Sequence, residues 1–516
     1  MSAPLAAAFA LLPRYLAWHV ALSAAALGLG LVIGLPLAVA AARAPRLRWV
    51  SLTLASLVQT IPSLALLALF FPLLLAVSTA LKPLHIAVPA LGFLPSLLAL
   101  TLYSILPILR NTVAGLRGLD PAVVEAADGL GMTRTQKLVR VEAPLAAPVA
   151  MAGVRTAAVW TIGAATLSTP VGQTSLGDYI FSGLQTENWV FVLFGCAAAA
   201  LLAIAVDQLL GLIETGLERR SPGRIGAGLA ALLVGTAVAL LPLVGSAGGG
   251  ERYVVGAKNF SEQFILAELI SDRLHARGAA VETKQGLGSV VAFRALQSNA
   301  VDVYVDYSGT LWTNVLHRTD IPPRAALLAE LTRELKARYG VTVLGSLGFE
   351  NAYALAMKAD RASKLGVRSL DDLAGHAQGL TLGADLEFLS RPEWAGIQKA
   401  YGVGFKGQRA YSPTFMYRAL EDGEADVISA FSSDGRIAAD RLVTLSDPKA
   451  AIPAYDAVVL ISPKREHDKR LIGALQPLIG KIDVAAMQAA NLSVDRDQQK
   501  ASPAEAAKAL EARLGR

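Results

Sequence analysis

The chain has 516 residues, of which 53% are hydrophobic and only 17% charged, with a formal net charge of +6. That length exceeds one ordinary core and suits two to four domains, and the shortage of charge excludes a protein that is soluble throughout. Cys196 is the only cysteine, which excludes a disulfide framework or a thiolate metal site within one chain; in its apolar run it reads as a buried, inert thiol.

The apolar excess is concentrated. Residues 1–246 carry long runs of Leu, Ala, Val and Ile, whereas residues 251–516 have the composition of a soluble domain. A spanning helix needs about 20 mostly apolar residues. Six segments qualify: Tyr15–Ala41, Val50–Leu75, Ala90–Leu109, Pro144–Leu167, Trp189–Ile213 and Ile225–Val244. Pro36, Pro62 and Gly153 fall inside them, which membrane helices tolerate where neighbours re-satisfy the backbone.

Positive charge sets the orientation. Arg43, Arg46 and Arg48 follow the first span. Arg110, Arg117, Arg134, Lys137 and Arg140 follow the third, and Arg219, Arg220 and Arg224 the fifth. The opposite loops are poor in Lys and Arg, with Arg14 and Lys82 as exceptions. With the N-terminus outside, all three basic loops face the cytoplasm and the sixth span delivers residues 251–516 to the outer side. The basic residues thus lie in loops beside membrane lipid rather than in a basic stripe with interleaved aromatics, so no nucleic-acid partner is expected. The first run is long, lacks a basic start and ends in arginines, and so reads as a retained span rather than a signal peptide. The small residues Ser246–Gly250 resemble a cleavage site, but the fusion is expected to stay intact.

The loop after the third span reads Asp120-Pro121, then Glu125-Ala126-Ala127-Asp128-Gly129-Leu-Gly131, then Val141-Glu-Ala-Pro144. Asp at the N-cap and Pro at the first helical position start a helix, Gly129 or Gly131 ends it, and a second helix from Thr133 to Val141 returns to the membrane. A short helix held between spans can pass force between a soluble partner and the bundle. The Glu125, Ala126, Ala127, Gly131 and Pro144 pattern, with Leu106-Pro-Ile-Leu-Arg110-Asn-Thr, Val154-Arg155-Thr-Ala and Gly172-Gln-Thr-Ser-Leu-Gly177, resembles the ATP-binding-cassette (ABC) importer permeases of the glycine betaine, choline and carnitine class. The resemblance covers most of residues 15–215. It implies a pair of permease chains, the second a copy of this one, over a pair of ATPase subunits. Nothing in the chain matches G-x-x-x-x-G-K-[ST], so the ATPase is expected on a separate chain.

From Arg252 the pattern alternates. Strands are expected at Tyr253–Ala257, Val301–Tyr307, Ala352–Met357, Leu380–Gly383 and Val427–Phe431. Helices are expected at Ser261–His275, capped by Ser261 and followed by Gly278, and at Val290–Ser298, Arg391–Tyr401 and Thr414–Glu421. Such alternation argues for α/β sheets, and about 265 residues suit two lobes around a cleft. Ligands of open α/β sheets collect at the carboxyl ends of strands. Three polar segments follow strands: Lys258-Asn-Phe-Ser-Glu-Gln263, Asp306-Tyr-Ser-Gly-Thr310 and Phe431-Ser-Ser-Asp434.

With Glu387-Phe-Leu-Ser-Arg391-Pro, these segments resemble the binding proteins of quaternary-ammonium importers over residues 253–462; Asp306 and Ser308 depart from the more usual Glu-Tyr-Thr turn. The resemblance implies a type II periplasmic-binding-protein fold. A trimethylammonium group donates no hydrogen bond and is attracted to aromatic faces by about 0.5–2 kcal/mol per ring. Phe260, Tyr307, Tyr353, Phe388 and Tyr411 are the candidate rings, each with core packing as its alternative role. Arg391 is a candidate for a ligand carboxylate by bidentate pairing, and Ser432 and Ser433 are candidate donors. Lys258, Asn259, Ser261, Gln263, Ser289, Thr310, Glu387 and Asp434 complete the candidate ligand-binding set.

The expected architecture is therefore an all-α polytopic membrane domain of about six transmembrane helices, followed by an α/β two-lobed domain. Residues 1–220 form the permease, 221–250 the sixth span and linker, and 251–516 an extracytoplasmic substrate-binding domain. The expected function is ATP-driven import, across a bacterial cytoplasmic membrane, of a small cationic or zwitterionic solute: glycine betaine, choline, carnitine or ergothioneine, a trimethylated histidine thione whose importers it is similar to as well. A ligand-sensing receptor without transport, and an importer of another small polar solute such as an amino acid, are the alternatives. With six His and no Ser-His-Asp set, His-rich cluster or nucleophile elbow, no catalytic residue, metal or cofactor is expected.

Overall fold

The computed structural model describes residues 3–81, 84, 88–186, 188–244, 252–496 and 499–514; Lys82 and the Ser246–Gly250 linker lie outside the described residues. The chain divides into two compact units, one of Met1–Phe181 with Trp189–Gly248, the other of Ser182–Asn188 with Gly249–Arg516.

The first unit is helical: α1 (Ala3–Arg43), α2 (Pro45–Thr60), α3 (Ser63–Leu81), α4 (Phe93–Arg117), α5 (Pro121–Gly129), α6 (Arg134–Lys137), α7 (Ala143–Ala165), the start of α8 (Gly177–Gln185), whose last turn from Ser182 falls in the second unit, α9 (Trp189–Glu218) and α10 (Pro222–Val244). Six stretches among the described residues are long and apolar enough to cross a membrane: Pro4–Arg43, Ser63–Leu81, Phe93–Arg117, Arg134–Val171, Trp189–Glu218 and Pro222–Leu243. The second differs from the expected Val50–Leu75. Pro62 disfavours a helical residue before it, Ile61 is extended (φ −74°, ψ 126°), and α2 ends at Thr60. The spanning stretch therefore starts at Ser63, while α2 carries Arg46 and Arg48 in its own first turn.

Helix α4 is the centre of this unit, with Ala99, Leu100, Ile108 and Leu109 buried. Its close partner is α7. A Cβ at Gly153 would lie 2.5 Å from the Pro107 carbonyl oxygen and 2.6 Å from Asn111 Cβ. Only glycine lets the two backbones meet there, the usual role of small residues between membrane helices. Cys196 corrects an expectation: it is exposed on α9, because the apolar faces of a spanning helix point outward as well as into the bundle.

The second unit holds two five-stranded sheets, with orders β2-β1-β3-β10-β4 and β7-β6-β8-β5-β9. The first lobe uses β1 (Arg252–Lys258), β2 (Ala280–Leu287), β3 (Val303–Tyr307), β4 (Thr342–Glu350) and β10 (Asp456–Ile461). The second uses β5 (Tyr353–Lys358), β6 (Thr381–Asp385), β7 (Gly407–Tyr411), β8 (Val427–Phe431) and β9 (Leu442–Thr444). The chain crosses between lobes after β4 and again between β9 and β10. Strand β10 inserts antiparallel between β3 and β4. Its sequence, Asp-Ala-Val-Val-Leu-Ile, is buried throughout, as an interior strand covered on both faces must be.

Each strand and helix expected in this half is present within a few residues of its expected ends. The cap at Ser261 is a correction. Phe260 holds the N-cap position without a side-chain cap, and the Ser261 hydroxyl instead donates to Asp495 Oδ1 at 2.5 Å. Gly278 follows the helix as expected, at φ +72°.

Candidate functional site

The strand ends of the second unit meet around a cavity of about 410 Å³ between the two lobes. The first lobe contributes Lys258 at the end of β1 with Asn259 and Phe260 beyond it, Ser289 at the start of the Ser289–Gln297 helix, and Tyr307 at the end of β3 with Thr310 beyond it. The second lobe contributes Asp385 at the end of β6 with Glu387 and Arg391 beyond it, Tyr411 at the end of β7 with Ser412 beyond it, and Phe431 at the end of β8. Asn351 and Tyr455 line it from the two crossing segments, and Tyr353 from the start of β5. This is the carboxyl-end placement that open α/β sheets give their ligands, and the volume lies in the range of small-molecule sites.

Aromatic rings form much of the wall. Phe260 stacks on Tyr307 (centroids 6.1 Å apart, 28° between planes) and on Phe431 (6.3 Å, 5°). Tyr353 lies 5.0 Å from Phe431 and meets Tyr455 edge-on at 5.8 Å. Glycine makes room for Tyr455: a Cβ at Gly309 would sit 2.5 Å from that ring.

The charged groups are fixed by buried partners. Lys258 pairs with Asp306, which also accepts from the Tyr304 hydroxyl at 2.5 Å and the Tyr307 amide at 2.8 Å. Asp306 is thereby turned away from the cavity, while Ser308 ties its turn to β10, accepting from the Asp456 amide at 2.9 Å. Arg391 donates from Nε to Glu393 (3.1 Å), from Nη1 to Glu387 (2.8 Å) and from Nη2 to Glu393 (3.0 Å), Thr310 (3.3 Å) and Tyr455 (3.1 Å). Its guanidinium carbon lies 5.1 Å from the Tyr353 centroid. Burial opposes ionisation of Glu393, but the charge and hydrogen bonds of Arg391 outweigh it and hold the carboxyl below the usual range.

Hydrogen bonds also cross between the lobes beside the cavity. Ser289 Oγ donates to Glu387 Oε1 at 2.9 Å, Thr313 Oγ1 donates to Glu393 Oε1 at 2.9 Å, and Arg391 reaches Thr310. They close the lobes over the cavity.

Of the candidate residues named from sequence, Lys258, Asn259, Phe260, Ser289, Tyr307, Thr310, Tyr353, Glu387, Arg391 and Tyr411 line the cavity. Gln263 stands behind it, donating to the Tyr307 hydroxyl at 2.9 Å. Phe388 packs behind Tyr353, with centroids 4.9 Å apart. Ser261, Ser433 and Asp434 border a separate pocket of about 30 Å³. Ser432 donates to the Glu350 carbonyl at 3.2 Å in the crossing segment. The segment turns this way because Gly435 meets the Val484–Asp495 helix, where a Cβ would lie 2.4 Å from the Gln488 carbonyl oxygen.

Sequence reasoning missed Asn351, Asp385, Ser412, Phe431 and Tyr455. Asp385 carried a signal: an Asp before an apolar helical run is an N-cap, which places it at a strand-to-helix turn. Tyr455 lies in an irregular stretch before β10, and no pattern marked it. Glu262 was missed too. Buried under the cavity, it accepts from Tyr307 (2.5 Å), Asn351 (3.1 Å) and Asn491 (2.9 Å). Its carboxyl is raised by burial, against those hydrogen bonds.

A second candidate surface lies on the membrane unit. Asp120 caps α5, accepting from the Ala122 amide at 2.9 Å. Gly131, at φ +73°, ends the turn after it, and Thr133 and Gln136 form a capping box on α6. Lys137 donates to Asp128 at 2.6 and 2.8 Å, joining the two helices. Glu125 and Ala126 are exposed, Ala127 is buried, and Pro144 sits in the first turn of α7. Leu130 and Val139 are exposed apolar residues beside them.

Residues 30–220 match the family described as the binding-protein-dependent transport system inner membrane component, and residues 251–511 match the substrate binding domain of ABC-type glycine betaine transport systems. The chain is 30% identical to the ergothioneine transport permease/ergothioneine binding protein EgtU of Helicobacter pylori, over 94% of this chain and 87% of that protein. It is 39% identical to the choline transport system permease protein OpuBB of Bacillus subtilis, over 39% of this chain and 85% of that one. A glycine-betaine-binding protein of Pseudomonas aeruginosa is 31% identical, over 48% of this chain and 84% of its own. The chain therefore belongs to the ABC importers, as a multi-pass permease fused to its own substrate-binding domain of the glycine betaine type, with ATP hydrolysis left to a separate chain.

Proposed function

We propose that this chain imports a small quaternary-ammonium solute, of the class that includes glycine betaine, choline, carnitine and ergothioneine. The observation that carries the reading is the cavity wall of Phe260, Tyr307, Tyr353, Phe431 and Tyr455. Such rings attract a diffuse cation that can donate no hydrogen bond. Charge favours the same class: Lys258 is matched by Asp306 and Arg391 by Glu387 and Glu393, which leaves the Asp385 carboxylate on the wall without a cation. The names of the similar proteins, which carry choline, glycine betaine or ergothioneine, support it too.

In this reading the solute closes the two lobes outside a bacterial cytoplasmic membrane, and two copies of the chain form the pathway. Separate ATPase subunits dock on α5 and α6 around Glu125. Arg391 already donates to Glu387 and Glu393, so a zwitterion's carboxylate reaches it by displacing Glu387, the more exposed of the two. The test is equilibrium binding to the full chain in lipid nanodiscs. Binding of at least one quaternary-ammonium solute, with none for the uncharged isostere of the same ligand, is the expected result. Tight binding of ordinary amino acids alone would refute the reading.

A further inference from the structure

Asp385 ends β6 and caps the Leu386–Ser390 helix, its Oδ1 accepting from the Phe388 amide at 3.0 Å. Its Oδ2 has no hydrogen-bond partner among the described residues, although Asp385 is only 5% exposed. The residue lines the cavity. Every other charged group there is matched: Lys258 by Asp306, and Arg391 by Glu387 and Glu393. A buried acceptor left without a donor costs free energy, and burial accordingly pushes the Asp385 carboxyl up to about 6.

A ligand can remove that cost only by bringing a donor. A trimethylammonium group has none, and the aromatic rings suffice for it. Phe260 and Tyr307 lie on the first lobe and Asp385 on the second, so a solute with both a quaternary head and a donor can engage both lobes at once. We infer that Asp385 Oδ2 accepts a hydrogen bond from a hydroxyl or ring N–H of the transported solute. The site then selects quaternary-ammonium solutes that carry a donor over those, such as glycine betaine, that carry none. This rests on the quaternary-ammonium reading above. It makes Asp385 a specificity-determining residue, since sites built to satisfy a buried polar group reject ligands that leave it unpaired.

The experiment compares the full chain in nanodiscs with Asp385→Asn, which keeps a good helix cap. The probes are choline (hydroxyl donor), ergothioneine (ring N–H donor), glycine betaine (no donor) and tetramethylammonium (charge without donor). The expected result is that choline, ergothioneine or both bind the native chain about 10- to 100-fold more tightly than glycine betaine and tetramethylammonium. Asp385→Asn should reduce that margin to less than about threefold, and the probe that loses affinity tells hydroxyl from ring N–H. Glycine betaine binding as tightly as the best donor-bearing probe would overturn the inference, as would a variant that weakens tetramethylammonium as much as choline, which would mark a charge effect. Binding of none of the four would instead bring down the quaternary-ammonium reading itself.

Discussion

Ser289 on the first lobe donates a hydrogen bond to Glu387 on the second, 2.9 Å across the mouth of the cavity. Glu387 at the same time accepts from Arg391 at 2.8 Å. The contact thus ties one lobe to the arginine at the centre of the other. A hydrogen bond to a charged group contributes about 1.5–3 kcal/mol, less where the carboxylate is partly exposed as here. Ser289→Ala should therefore speed ligand dissociation by about three- to tenfold and leave thermal stability unchanged, as stopped-flow fluorescence on the full chain would show. An unchanged off-rate would mean the bond does not hold the lobes closed.

Tyr353 touches Phe388, Phe431, Tyr455 and the Arg391 guanidinium. Tyr353→Ala should weaken quaternary-ammonium binding by about 1–2 kcal/mol, the worth of one ring in a partly desolvated cage. Tyr353→Leu, which keeps apolar volume without a π face, should lose nearly as much. Titration calorimetry decides, and full affinity in the leucine variant would assign the ring to packing alone.

Tyr307 is held by its hydroxyl, which donates to the buried Glu262 at 2.5 Å. Tyr307→Phe removes one donor from a carboxylate whose ionised form is already disfavoured by burial. The loss should cost about 1–3 kcal/mol of stability, read as a lower melting temperature, while ligand affinity changes less than in Tyr307→Ala. Equal loss of affinity in both variants would place the hydroxyl, rather than the ring, in the binding event.

The Asp385 carboxyl sits at about 6, raised chiefly by burial, whereas an unfolded Asp titrates near 3.9. Between those values the folded state binds more protons than the unfolded one, so this group makes stability rise as pH falls from about 6 to about 4. The charged groups facing it are Glu387 and Arg391, with Tyr353 on β5 and Tyr411 on β7. Asp385→Asn should stabilise the chain at about pH 7.5, by on the order of 2–3 kcal/mol, and gain little at about pH 4. Denaturant titration at both pH values checks this; a gain independent of pH would contradict it.

Much of this was legible in the sequence, for physical reasons. Spans announce themselves by length of apolar run, and Asp120-Pro121 with Gly131 marks a capped helix between spans because each residue type suits one position. The strand-end segments Lys258–Phe260 and Tyr307–Thr310 were found because strand ends are where such sheets expose polar side chains. What stayed hidden depends on contacts between distant segments. Pro62 reads equally as a tolerated kink or a break, and the extended Ile61 before it decides the matter. Nothing local says that Arg391 also reaches Thr310 and Tyr455, or that Gly435 presses Ser433 and Asp434 toward the Val484–Asp495 helix and away from the cavity. Tyr455 enters the wall only because β10 returns between β3 and β4.

The most direct test of the account is uptake of labelled choline and ergothioneine into vesicles holding the full chain and its ATPase partner, beside the Glu125→Ala variant. The account predicts ATP-dependent accumulation of at least one of them. It predicts a loss of about tenfold or more in Glu125→Ala, with ligand affinity and melting temperature unchanged, since Glu125 is exposed on α5. Tight binding without ATP-dependent accumulation would contradict it, and would make the fused domain a sensor rather than the intake of a transporter.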